Sequence, residues 1–129
     1  KLEVFKKKVG YGLLSENEIA YHNIYLNHIE EKLNLEVENT LIHQELRNAV
    51  LLLKTLLDVN IFLRGCLNNQ IDLKLFDEVN NNLTKYLKNH KQLWCARNKE
   101  PGFVYSSLRI ERLKNSLEML KKEATNYEI

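Results

Sequence analysis

One proline and four glycines in 129 residues are too few for a β-sandwich or barrel, which needs turn residues about every ten positions. The two cysteines, Cys66 and Cys95, have no framework spacing, so neither a disulfide scaffold nor a zinc site is suggested. Buried, unpaired thiols in a reduced compartment are expected. Charge of one sign is scarce too, with a net +2. Lys6-Lys7-Lys8 and Lys121-Lys122 are the tight basic runs, each with an acid nearby. A nucleic-acid binder would carry a basic stripe interleaved with aromatics, so no nucleic-acid partner is expected. The most apolar stretch, "AVLLLKTLLDVNIFL", is broken by Lys54 and Asp58, too short and too charged to span a bilayer, so no membrane partner is expected either.

What is present is helical periodicity, and the expected fold is all-α: a four-helix up-and-down antiparallel bundle with a short N-terminal extension, one domain over residues 1–129. Ser15 and Glu18 form a capping box that opens a helix at 16–34, with Ile19, Ile24, Tyr25, Ile29 and Leu33 as its apolar positions. Asn39 can cap a second helix running to Cys66, closed by Gly65 and Asn68-Asn69. Asp72 can cap a third at 73–97, striped by Phe76, Val79, Leu83, Tyr86, Leu87, Leu93 and Trp94. The fourth, 105–126, carries Ile110, Leu113, Leu117, Leu120 and Ala124 on one line.

The second helix differs from the others. Val59, Leu52, Leu63, Leu56, Leu53 and Leu57 cover half its circumference, more than the stripe of a surface helix. Leu51 and Phe62 fall among its polar positions and mark a possible docking face. The helix is then either central to the bundle or set against another domain. Asn60 lies inside the apolar arc and, if buried, needs a hydrogen-bond partner.

Catalytic patterns are missing. Bundle di-metal sites use Glu-x-x-His, yet Ile19, Tyr25, Thr40 and Leu87 stand three residues before His22, His28, His43 and His90. Asp77-Glu78 point about 100° apart on a helix and read as solvated residues suited to its N-terminal dipole. No metal, no cofactor and no catalytic residue is expected.

The joint "HKQLWCARNKEPGFVYSSLRIERL" holds the single Trp and the single Pro. Trp94 continues the inner stripe and is expected to be the largest buried side chain. Asn98 tolerates the left-handed conformation that ends helices, Pro101 blocks continuation, and Gly102 supplies the turn. Phe103 can fold back over the joint, and Ser106 or Ser107 can cap the next helix. His90, Trp94, Asn98, Gly102, Phe103 and Arg109 thus make up a structural corner. These residues, with Leu93, Arg97, Lys99, Leu108 and Leu113, resemble the C-terminal helical domain of family 20 glycoside hydrolases, the bacterial exo-β-N-acetylhexosaminidases.

The resemblance implies a parent enzyme that removes terminal β-linked N-acetylhexosamine, using an Asp-Glu pair in its barrel and the substrate's own acetamido group as nucleophile. A barrel needs about 250 residues, so the resemblance makes this chain a non-catalytic accessory domain. Its expected partners are the catalytic barrel of the same parent chain and a second copy in a homodimer. The alternative is a free-standing helical interaction domain. The chain opens on Lys1 with no visible signal peptide, so a piece of a longer, cytoplasmic protein is expected, with an upstream signal left open.

Overall fold

The computed structural model describes residues 13–97 and 102–127, with the side chains of Ala124 and Tyr127 outside the description. The described residues are all-α, with four helices: α1 (Glu16–Leu35), α2 (Leu41–Leu67), α3 (Leu73–Arg97) and α4 (Phe103–Tyr127). The expected N-terminal extension, Asn98 and Pro101 lie outside the described residues.

Local chemistry sets the helix ends. Ser15 and Glu18 close the capping box, each side chain bonded to the other's backbone N–H. Asp72 accepts from the Leu75 N–H at 2.9 Å. At the start of α2 the cap is Thr40, whose hydroxyl accepts from the His43 N–H. Asn39, the residue expected there, instead accepts from Arg47 at 2.8 Å. Arg47 also donates to the Leu33 carbonyl, which accepts the Glu36 N–H as well at the end of α1. Asn39 is therefore a brace across the α1–α2 turn.

Cross-links establish the antiparallel order. Leu14 meets Asn60 and Glu30 meets Lys54, so α1 runs against α2. Asn48 reaches Tyr86 while Phe62 meets Phe76, so α2 runs against α3. His90 meets Ser106 and Thr84 meets Lys114, so α3 runs against α4. Each helix packs chiefly on its neighbours in sequence.

The wide apolar arc of α2 now has an explanation, because this helix is covered on two sides. Thr55, Val59, Phe62 and Cys66 form one buried row, which joins Phe76, Val79 and Leu83 of α3 and Leu117 of α4. Leu57, roughly 160° around the helix from Val59, joins Ile19 and Leu26 of α1. Phe62 is therefore a core residue, 2% exposed, and not part of a docking face. Its helical neighbours Lys54 and Asp58 are half-buried, while Phe62, one step further round the helix toward α3, meets Phe76. Leu51 is half-buried.

In α1 the inward row is Ile19, Leu26 and Leu33. Ile24 and Tyr25, expected inside, are exposed, with Ile24 at 71%. A single helix contact buries only a narrow stripe, and these two residues fall outside it. Asn60 has the partners its position demands. Its Oδ1 accepts from the Leu14 N–H and its Nδ2 donates to the Leu56 carbonyl. Arg64 donates to the Leu14 carbonyl, so both polar groups of the Leu14 peptide are held by α2.

Candidate functional site

The corner is built on His90. Its ring stacks on Tyr86 (centroids 5.6 Å, 10° between planes) and lies 5.5 Å from Phe103 and 6.0 Å from Trp94. Its Nε2 is 2.9 Å from Ser106 Oγ. That hydroxyl has one proton and directs it at the Phe103 carbonyl, 3.0 Å away. Oγ is thus left to accept, which puts the imidazole proton on Nε2. Ser106 and Ser107 sit inside the first turns of α4, because the helix begins at Phe103 immediately after Gly102. They bond backwards along the helix and do not cap it.

Burial among these rings lowers the His90 pKa below the usual imidazole value. The folded chain then holds this proton less tightly than the unfolded chain does. The contribution to stability is present above about pH 6.5, the unfolded value, and is lost as pH falls toward the folded one. Thermal melts between pH 8 and 5 should show Tm dropping on acidification, and His90→Gln should flatten part of that drop.

Trp94 is half-buried, not the largest buried side chain. The reason is its place at the end of the bundle. Arg97, one turn on, already pairs with Glu45 in the second turn of α2, so little of α2 extends past the indole. What Trp94 does cover is Gly102. A Cβ on Gly102 would sit 2.8 Å from Trp94 Cζ2, although the glycine has no left-handed φ. The glycine is needed for close approach. Gly102→Ala should therefore cost about 1–3 kcal/mol, and most of that cost should vanish in a Trp94→Ala background. Urea melts of the four proteins measure the coupling. Arg109 is exposed, and among the described residues it joins none of the corner's hydrogen bonds or ring contacts.

A groove of about 610 Å³ runs over α2 between α1 and α3, with Leu33, Val50, Leu51 and Leu93 among its apolar lining. Some of its polar groups are bonded to one another. Lys54 holds Glu30 at 3.1 Å. The buried Asn48 donates to the Tyr86 carbonyl and accepts from Asn89. No carboxylate–imidazole or thiol–imidazole pair is brought together there. Elsewhere, burial first and Glu78 second raise the Asp58 pKa, and Asp77 and Glu78 are exposed. Cys66 is buried, its thiol pushed up to about 11 by desolvation, whereas Cys95 is exposed. Among the described residues no group of three His, Cys, Asp or Glu could hold a metal ion, and no helix is long and apolar enough to cross a membrane.

The side of α2 away from this groove is different. Ile42, Leu46, Ala49 and Leu53 follow a 4-3-4 spacing and are all exposed, Leu46 at 47%. This is the pattern of a helix seam that meets another helix. Leu53 belongs to the apolar arc of the sequence, whereas Ile42 and Leu46 lie outside it; their heptad spacing with Leu53 is the signal that finds them. No family model matches the chain, and no curated protein or solved structure does.

Proposed function

We propose that this chain is a non-catalytic helical accessory domain that works by docking on a larger partner, the catalytic barrel of a family 20 β-N-acetylhexosaminidase. One observation carries the docking part: the exposed Ile42–Leu46–Leu53 row on the central helix. Ordered apolar side chains in a row on a rigid helix lose little conformational freedom on binding. Contiguous apolar surface of this kind marks interaction sites. The identity of the partner rests on the resemblance of the His90–Leu113 corner. The His90 ring, packed against Tyr86 and Phe103 and bonded to Ser106, fits a domain that contributes no reacting group.

The test is binding of the purified chain to a bacterial family 20 barrel prepared without its own helical domain, measured by calorimetry. Saturable binding that Leu46→Glu abolishes, with the helical circular dichroism unchanged, is expected. Binding that Leu46→Glu leaves intact would remove α2 as the docking helix. Hydrolysis of a chromogenic N-acetylglucosaminide by the chain alone would refute the non-catalytic reading.

A further inference from the structure

The groove over α2 holds positive charge that the fold leaves unpaired. Its charged lining is Glu30, Arg47, Lys54 and Lys85. Glu30 and Lys54 pair with each other at 3.1 Å. Arg47 donates to the Asn39 side-chain oxygen and the Leu33 carbonyl, and among the described residues it pairs with no carboxylate. Lys85 is exposed and has no ion pair among the described residues. Other carboxylates do not make up the balance. Glu36 and Glu38 are outside the lining, and Glu45 pairs with Arg97 beside Trp94. The α3 wall has none to offer: from Val79 to Arg97 there are four cations and no Asp or Glu.

Shape and polarity narrow the occupant. The groove follows α2 from Leu41 to Lys54, about 20 Å at a rise of about 1.5 Å per residue. Its volume of about 610 Å³ then corresponds to a cross-section of about 30 Å². A helix about 10 Å across needs about 80 Å². An extended chain, with neighbours about 4.8 Å and about 10 Å away in packed sheets, needs about 50 Å². The extended chain is the closer fit, and about six residues of it fill the length. Leu33, Leu51 and Leu93, one from each helix, offer it apolar contact. The side-chain amides of Asn34 and Gln92 bond to no described residue, and each can both donate to and accept from a peptide backbone.

We propose that this groove binds an extended acidic segment of a partner protein, with apolar side chains against Leu51 and Leu93 and carboxylates toward Arg47 and Lys85. Apolar contact supplies attraction, and opposite charge sets register and excludes basic segments. The Lys6-Lys7-Lys8 run of this chain has the wrong charge to fill the site. A contact of about six residues is weak, with a Kd on the order of 0.1–1 mM for the isolated segment. The site is separate from the Ile42–Leu46–Leu53 row on the other side of α2, and it does not depend on the barrel proposed to cover that row.

The test is a nuclear magnetic resonance titration of the isotope-labelled intact chain. The probe is a synthetic peptide of about eight residues that alternates leucine and glutamate, so that an extended conformation separates an apolar from an acidic face. Saturable amide shifts are expected at Asn34, Leu51 and Gln92, with α4 unmoved. Lys85→Glu, at an exposed position with no ion pair in the fold, should weaken binding roughly tenfold by placing like charges together. Replacing the peptide's glutamates by glutamines should do the same, and circular dichroism of Lys85→Glu should match the parent. The absence of shifts at about 3 mM peptide, above the expected Kd range, overturns the proposal. So do shifts spread as strongly over the cations of α4, shifts confined to the Ile42–Leu46–Leu53 row, or binding that Lys85→Glu leaves intact. A short oligothymidylate that gives the same groove shifts with tighter binding would assign the site to nucleic acid and also overturn it.

Discussion

Phe62→Ala should destabilise the chain by about 3–5 kcal/mol, the range for a buried aromatic truncated in a core. The ring is 2% exposed, 5.6 Å from Phe76, and set among Val59, Cys66, Val79, Leu83 and Leu117 from three helices. The loss has two parts, transfer of the ring to water and the cavity left behind. Collapse into that cavity is limited, because Phe62 and Phe76 flank the tight α2–α3 turn, whose backbone bonds hold both helix ends in place. For a domain whose total stability is of the order of 5–15 kcal/mol, this is a large fraction. Urea denaturation should show the midpoint falling with the slope unchanged. A docking role for Phe62 would give the opposite result: near-native stability and weakened binding.

Gly65→Ala should be the most damaging single-methyl addition among the described glycines. A Cβ there would lie 2.5 Å from the Gln70 carbonyl oxygen, a backbone atom with no rotamer to retreat into. The same Gln70 peptide donates its N–H to the Gly65 carbonyl at 2.7 Å, and Asn69 beside it takes a left-handed φ of 57°. Relief of the clash must open this turn. Ala gains about 1 kcal/mol over Gly in helix propensity, so a net loss of about 1–3 kcal/mol is expected from overpacking of this kind. Hydrogen exchange separates this from a global effect: amides of residues 66–71 should lose protection beyond the general decrease. Gly102→Ala meets a side-chain ring, which can rotate, and should fall at the lower end of the same range.

The two glycines and the two aromatics show where sequence reading stops. Each glycine was assigned to a helix end for its backbone freedom, yet neither has a left-handed φ; what each avoids is an atom contributed by another residue, Gln70 or Trp94. No local pattern carries that information. Trp94 and Phe62 exchanged roles for a related reason. Position on a stripe predicts which way a side chain points, but burial depends on whether a neighbouring helix extends that far.

Helix existence, the Ser15–Glu18 and Asp72 caps, and the antiparallel order followed from residues within one or two turns of each other and from short connections. Those interactions are local, so a single chain segment contains both partners. The choice of Leu26 over Ile24 as the inward residue of α1, the two-sided burial of α2, and the exposed row at Ile42 and Leu46 were decided by which helices meet. Such contacts join residues tens of positions apart. Their outcome depends on where whole helices lie, a quantity that periodicity along one helix does not contain.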